Sequence, residues 1–191
     1  KNLKVAVGYN LRFHPLLKKM KELYENGAIG KALSAKVEFG ENIEDWHPWE
    51  DYRNTYAPYK KSGGGAVLCF SHDLDYLYWF FGKPKKIAAV GGHITPLAGD
   101  AEDTIKAIFE YENGVIASIH LDYWQRPPVR IFAIIGIKGK LEWDYNGKIL
   151  THTSRDPNAV PEVITAPADF DRYDMFMEEM RQFATATAPK K

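Results

Sequence analysis

The strongest chemical signal lies in an apolar segment, predicted to be a helix over residues 66–81, that directly follows three consecutive glycines. His72 and Asp75 are three positions apart in this segment, so they share one face of the helix. A histidine titrates near neutral pH and can accept the proton of a hydroxyl group, and a neighbouring carboxylate can orient its ring. The structural alternative is a buried histidine that is satisfied by Asp75 or by a backbone carbonyl.

Three further clusters place polar or aromatic side chains at predicted strand ends or in a long loop. Their candidate substrate contacts are Asn10, Arg12, Trp49, Tyr52, Arg53, Tyr123, Gln125 and Arg126. Aromatic rings suit the faces of sugars, and guanidinium groups suit carboxylates or phosphates. Each cluster also has a structural alternative. Asn10 and Arg12 could be a helix cap and a surface salt bridge, the loop with Trp49, Tyr52 and Arg53 a hydrophobic lid, and Tyr123, Gln125 and Arg126 a polar turn.

Several chemistries have no supporting pattern. The sequence contains neither G-x-G-x-x-G nor G-x-x-x-x-G-K-[ST], so the chain carries no nucleotide phosphate loop of its own. No histidine and cysteine have zinc-finger spacing, and we predict no metal site. A G-x-S-x-G nucleophile elbow is also missing, and Cys69 stands alone in an apolar helix.

Composition narrows the class of protein. The chain has 191 residues, 45% of them apolar, which predicts a single domain over residues 1–191. Basic and acidic residues cancel at 25 each, so we expect neither a nucleic acid nor a membrane surface as partner. The single cysteine favours a reducing compartment, and the first residues lack the features of a signal peptide. We therefore predict a cytoplasmic protein.

The periodicity of apolar residues predicts helices early, a run of strands, and a final helix. The first helix begins near Phe13 and stops at Asn26–Gly27, and the last covers residues 170–186. Strands are expected over 4–9, 33–39, 87–95, 104–111, 115–124, 129–137, 141–145 and 148–153. Loops are expected over residues 41–62 and 154–169, and two-residue Asn-Gly turns join two hairpins.

This order of elements predicts an α+β fold. We expect an open, mostly antiparallel sheet of about five or six strands, because short turns join consecutive strands. Helices 66–81 and 170–186 should pack on one face of the sheet. Apolar residues also occur on the opposite face, for example Ile131, Ala133 and Ile135. An uncovered apolar face marks an interface, so we expect a homodimer or homotetramer through it.

An ordered set of segments resembles the C-terminal domain of the glucose–fructose oxidoreductase/inositol dehydrogenase/MocA (Gfo/Idh/MocA) family. The matching segments are V-G-Y-N-L-R-F-H-P (7–15), N-G-A-I-G-K (26–31), G-G-G-A-V-L (63–68), H-D-L-D-Y-L-Y-W-F-F-G (72–82), E-D-T (102–104), E-N-G (112–114) and I-I-G-I-K-G-K-L-E-W (134–143). Each segment alone is weak, but together they follow the family order over nearly the whole chain. The resemblance implies a dihydrodipicolinate-reductase-like C-terminal fold.

The resemblance also implies an activity. Members of this family bind NAD or NADP through an N-terminal Rossmann domain, which we expect to be absent from this chain, leaving the cofactor-binding residues unknown. The substrate would be a sugar, sugar nucleotide or polyol whose hydroxyl loses a hydride. His72 would be the catalytic acid/base, and Asp75 would hold it by a hydrogen bond. The family's preceding Asp has no clean counterpart, and Cys69 stands nearest to its position.

Two other functions remain open from the sequence. One is a non-catalytic sugar-binding or assembly module that kept the fold and lost the chemistry. The other is an independent sugar-binding protein. Under the catalytic hypothesis the substrate cleft lies between the start of helix 66–81, the Asn10–Arg12 junction and the loops at 46–53 and 122–126.

Overall fold

The sheet dominates the fold. The structure is a computed structural model and describes residues 3–187. Its strands are β1 (Ala32–Gly40), β2 (Lys86–Gly92), β3 (Thr104–Glu110), β4 (Ile116–Asp122), β5 (Val129–Gly136), β6 (Gly139–Asp144), β7 (Ile149–Ser154) and β8 (Glu162–Thr165). They form a single open sheet in the order β2-β3-β4-β1-β5-β6-β7-β8. Every neighbouring pair is antiparallel except β1 with β4, which confirms the predicted fold class.

The expected strand number was too low. Eight strands pair where five or six were predicted. One of them, β8, lies inside the expected loop over residues 154–169, because Val163 and its neighbours pair with the exposed edge of β7. Three prolines in that stretch predicted irregular backbone, but all three lie outside the four residues that pair.

Within the described residues, four α-helices accompany the sheet. They are α1 (Pro15–Glu25), α2 (Ala66–Cys69), α3 (Ser71–Phe81) and α4 (Arg172–Thr187). α1 begins where expected, with Pro15 in its first turn and His14 as its N-cap. The single helix predicted over 66–81 is two helices, because Phe70 adopts φ −102° and ψ 28° between them. The chain therefore changes direction directly before His72.

The core lies between one face of the sheet and the first three helices. Alternate residues of the central strands point into it, as period-two patterning requires. The largest fully buried side chains include Trp143, Phe132 and Ile134 from strands, and Leu17, Met20 and Tyr76 from helices. On the other face Ile131 and Ile135 remain partly or largely exposed. The predicted division of apolar residues between the two faces is therefore present.

The chain termini differ from the sequence expectation. Residues 4–9 form no strand, because they pair with no neighbouring strand; Tyr9 N instead donates to Val7 O at 2.9 Å, and Val5 and Val7 are exposed. α4 is mostly exposed and packs mainly against the 3-10 turn Asn10–Phe13 rather than on the sheet. Asp171 caps α4 by accepting from Tyr173 N at 2.7 Å.

The long loop after β1 is ordered by three 3-10 turns, Ile43–Asp45, Tyr52–Asn54 and Lys60–Ser62. It returns to the start of α2 through Gly63–Gly65, where backbone segments approach closely. Gly64 N donates to Tyr59 O at 3.0 Å, and Gly65 N donates to Ala57 O at 3.0 Å. The loop therefore fixes the position of the α2–α3 junction.

Candidate functional site

His72 lies in the first turn of α3, directly after the break at Phe70. Its imidazole is half-buried, and Tyr9 packs edge-on against it with ring centroids 5.6 Å apart. Nδ1 is buried and has no hydrogen-bond partner among the described residues. Nε2 is therefore the ring nitrogen that can meet a substrate.

Asp75 is paired with Arg12 and not with His72. Arg12 Nε and Nη2 donate to the two carboxylate oxygens of Asp75, each at 2.7 Å. The prediction that Asp75 holds His72 by a hydrogen bond is therefore wrong: both oxygens of Asp75 face the guanidinium, and His72 Nδ1 has no partner among the described residues. The pair instead ties the turn that contains Arg12 to α3, and it raises the pKa of Arg12.

A second buried carboxylate next to His72 was missed from the sequence. Asp73 is completely buried; it accepts a hydrogen bond from the Tyr76 hydroxyl and another from Arg130 Nη2 at 3.0 Å. The Arg130 guanidinium lies over the Phe39 ring at 3.6 Å. Asp73 directly follows His72 in sequence, but Arg130 enters from β5, 57 positions away, and no local pattern connects the two.

The electrostatic environment keeps the His72 ring neutral. Burial lowers the pKa of His72, and the positive charges of Arg130 and Arg172 act in the same direction. Asp73 and Asp75 oppose this shift without reversing it. A neutral imidazole can accept a proton, so the environment favours a general base at this position at neutral pH.

The long loop after β1, here called the aromatic loop (residues 41–62), reaches the N-terminal end of α3 through one ring contact. Trp46 packs on Phe70 with centroids 5.5 Å apart, and Phe70 directly precedes α3. The three candidates from this loop lie farther along it. Trp49 is 80% exposed, the Tyr52 hydroxyl accepts from Ala98 N at 2.9 Å, and Arg53 pairs with Asp51.

The remaining candidates are divided between the core and the surface. Asn10 and Tyr123 are buried, and Tyr123 packs on Trp46 and Phe70. Gln125 would contact any side chain placed at Gly40, so it lies near the end of β1. Arg126 is held by Glu44 and Asp45 at 3.0 and 2.7 Å, and thereby ties the β4–β5 connection to the aromatic loop.

The geometry thus brings together His72, Arg12 with Asp75, and Tyr9, and it adds Arg130 with Asp73. Within residues 3–187 no group of three or more histidine, cysteine or acidic side chains is arranged to hold a metal ion. No helix in the same range is long and apolar enough to cross a lipid bilayer.

Comparison with known proteins identifies related chains. Residues 17–142 match the family model described as the GFO/IDH/MocA C-terminal domain. Among curated proteins, the chain is 30% identical over 110 residues to trans-1,2-dihydrobenzene-1,2-diol dehydrogenase of Bos taurus; this alignment covers 56% of the chain and 30% of that enzyme.

Solved structures of other proteins share the fold. An oxidoreductase from Thermotoga maritima superposes with a TM-score of 0.77 at 24% identity, over 99% of this chain and 54% of that one. Levoglucosan dehydrogenase, solved in complex with NADH and levoglucosan, superposes with a TM-score of 0.82 at 20% identity, over 97% of this chain and 58% of that one. The chain therefore spans little more than half the length of these structures.

Proposed function

Since the chain belongs to the GFO/IDH/MocA family through its C-terminal domain, we propose that it is the substrate-binding part of a nicotinamide-dependent oxidoreductase. The reaction would be hydride transfer from a hydroxyl of a sugar, sugar nucleotide or polyol. The observation that carries this proposal is the neutral, half-buried His72 at the start of α3, flanked by two carboxylate–guanidinium pairs.

His72 acts as the general base in this proposal. Its Nε2 accepts the proton of the substrate hydroxyl as the neighbouring carbon loses a hydride, so the alcohol becomes a carbonyl and the imidazole becomes an imidazolium. The buried carboxylates of Asp73 and Asp75 lie close enough to favour this developing positive charge. The edge-on contact with Tyr9 restricts the ring orientation.

The carbohydrate assignment is supported by the relatives and by side chains of the loops that follow β1 and β4. Levoglucosan is the ligand of one structural neighbour, and the bovine relative is a diol dehydrogenase. Exposed Trp49 offers a ring that can stack on a sugar face. Arg53 and Arg126 remain proposed contacts for oxygen-rich groups, although each already binds a carboxylate of this chain.

The proposed cofactor is NAD or NADP, which supplies the hydride acceptor when bound. The sequence contains no glycine-rich phosphate loop, so this chain contributes the carbohydrate side of the site. The half-buried His72 fits this role, because a general base needs only one accessible side, from which the substrate hydroxyl can approach it. We propose the cytoplasm as the location, since Cys69 is the sole cysteine.

A non-catalytic carbohydrate-binding module is the second candidate. The observation that favours it is Cys69, which stands nearest to the position where the family carries an aspartate ahead of the histidine. A neutral thiol carries no charge, so it does not stabilise an imidazolium as a carboxylate does. Turnover by the full-length protein with NAD or NADP and a panel of sugars separates the two candidates.

The decisive test is His72→Ala in the full-length protein that carries this chain. We expect kcat to fall by about two to four orders of magnitude, the usual size of a general acid–base contribution. His93→Ala is the matched control, because His93 lies in the loop after β2 and pairs with Asp103 at 2.9 Å. An unchanged kcat in the His72 variant assigns that histidine a structural role.

A further inference from the structure

A cavity separate from His72 lies between the β6–β7 turn and the start of α4. Its volume is about 480 Å³, which is within the range of small-molecule sites. The lining includes two cationic side chains and three rings: Lys148, Arg172, His14, Tyr145 and Phe170. Neither an aspartate nor a glutamate contributes to this lining.

The two cations are available to a ligand. Neither Lys148 nor Arg172 forms an ion pair within the described part of the chain. Glu41 lies near enough to Arg172 for the two charges to interact, but it does not line the cavity, and burial raises its pKa. The cavity therefore presents positive charge without a built-in counterion.

Lys148 stands where another residue type would fit the backbone better. Its φ is +55°, in the left-handed region that favours glycine, and its amide donates to Tyr145 O at 3.2 Å to close the turn. The turn thus holds a lysine at the mouth of the cavity in a conformation that asparagine or glycine adopts more readily.

His14 supplies a neutral hydrogen-bond donor in the wall. Its Nδ1 accepts from Leu16 N at 3.3 Å, which leaves the proton on Nε2 in the neutral ring. The ring is packed between Trp143, Tyr145 and Phe170 at centroid distances of 5.1 to 5.5 Å. No hydrogen bond between described residues uses Nε2, so it remains free for a ligand.

The cavity adjoins the proposed catalytic site. Tyr145, one of its walls, lies beneath the Arg130 guanidinium at 5.6 Å. Arg130 in turn donates to Asp73, the residue after His72. Arg172, which lines the cavity, lies near enough to His72 for its charge to lower the pKa of the imidazole, so the cavity and His72 lie near each other.

We propose that the cavity bounded by Lys148, Arg172 and His14 binds an anionic oxygen group of the substrate, a phosphate or a carboxylate. The substrate class is then a charged carbohydrate and not a neutral sugar or polyol. This inference rests on the proposed function, in which a substrate hydroxyl meets His72; the cavity would bind an anionic group at the other end of the same substrate. Two cations and a neutral donor beside aromatic walls match such a group.

The proposal is tested by calorimetry of the full-length protein without nicotinamide. The measured quantity is the affinity for each of three probes: glucose, glucose 6-phosphate and glucuronate. At least one charged sugar should bind at least about tenfold more tightly than glucose, as expected for charge-assisted hydrogen bonds. Its affinity should also fall as salt is raised. The tighter of the two charged sugars identifies phosphate or carboxylate as the source of the anion.

The double variant Lys148→Ala/Arg172→Ala should remove this preference, and Arg155→Ala should keep it. Arg155 is an exposed arginine at the other end of β7, so it controls for loss of one positive charge. Lys148→Gly is a second variant, which removes the cation and suits the left-handed backbone at this position. Weaker binding of the charged sugar by this variant is therefore not the result of a folding defect.

Equal affinity for all three sugars, or an unchanged preference in the double variant, overturns the proposal. The binding measurement requires no turnover, so its outcome is separable from that of the His72 test. A protein without dehydrogenase activity can still show the anion preference. An active dehydrogenase of neutral sugars will lack it.

Discussion

Arg12 and Asp75, 63 positions apart in sequence, form a two-pronged ion pair in which each guanidinium–carboxylate distance is 2.7 Å. The Asp75 side chain is 7% exposed, while that of Arg12 is 35% exposed. The pair joins the turn Asn10–Phe13 to α3, and the Arg12 guanidinium also lies 5.7 Å from the Trp79 ring. It therefore positions the helix that carries His72 and does not contact the imidazole.

Removing the arginine should destabilise the protein. Arg12→Ala leaves the Asp75 carboxylate buried without its partner, and we expect a loss of about 1–3 kcal/mol in the free energy of unfolding, measured by urea denaturation. Arg53→Ala is the matched control, because the Arg53–Asp51 pair is exposed to solvent and its loss should leave the urea midpoint nearly unchanged. Equal effects of the two substitutions would contradict this assignment.

The sequence predicted the sheet well because alternation is a local signal. Phe132 and Ile134 point inward and Ile131 and Ile135 outward, as the period of two requires. β8 escaped prediction because four residues between prolines form a strand only by pairing with β7. The break at Phe70 coincides with the polar residues Ser71, His72 and Asp73, but apolar residues resume at Leu74, so the sequence predicted one continuous helix.

The candidate site was predictable only in part. His72 stood out because a polar side chain in an apolar helix needs a partner or a role. Spacing along the helix favoured Asp75 as that partner, but Arg12 competes for the carboxylate with a full charge and two donors. The Asp73–Arg130 pair depends on the register of β5 against the helices, which no pattern within either segment encodes.

His14 should make stability depend on pH in the acid range. Burial lowers the pKa of His14 from 6.5 to about 4. Below pH 6.5 the unfolded chain takes up a proton that the folded chain refuses, so stability falls as pH drops toward 4. The pKa difference limits this contribution to about 3 kcal/mol. We expect the free energy of unfolding, measured by urea denaturation at pH 7 and pH 4.5, to decrease accordingly.

His14→Asn separates this contribution from that of other groups. The asparagine side chain can still accept from Leu16 N as an N-cap, but it does not titrate. The variant should therefore show a smaller difference in stability between the two pH values than the wild-type protein. A difference as large as that of the wild type would show that His14 is not the source. His72, whose pKa is also lowered by burial, should account for part of the remaining dependence.

The close backbone approach at Gly64 should be intolerant of any side chain. A Cβ at this position would overlap with the carbonyl oxygens of Tyr56 and Ala57, which belong to backbone and cannot rotate away. We expect Gly64→Ala to reduce the free energy of unfolding by about 1–3 kcal/mol or more. Gly92→Ala is the control, because the nearest atom to its Cβ is an Ile94 methyl at 3.9 Å. Similar thermal midpoints for the two variants would contradict the clash.

The uncovered face of the sheet should be where two copies of the protein meet. Its apolar side chains form two patches, one around Val90 and Ile108 and the other around Ile135, and these three residues are 81%, 55% and 48% exposed. Between the patches, Lys36 and Glu38 pair at 2.7 Å. A two-fold axis brings the same surface of both copies together, so apolar patches flanking a charged strand can match each other. We propose a homodimer, or a homotetramer that contains this contact.

Sedimentation velocity of the full-length protein at micromolar concentration tests this assembly. The double substitution Ile108→Glu/Ile135→Glu places two buried charges in the proposed contact, so it should shift the wild-type dimer or tetramer toward smaller species. The isolated subunit should tolerate both changes, since Lys106 lies two residues from position 108 and Lys140 pairs across from position 135. Val160→Glu alters an 89% exposed residue in the loop that joins β7 and β8, at the edge of the sheet opposite β2 and β3, and it should leave the assembly intact. A monomeric wild-type protein, or an unchanged assembly in the double variant, would refute the proposed interface.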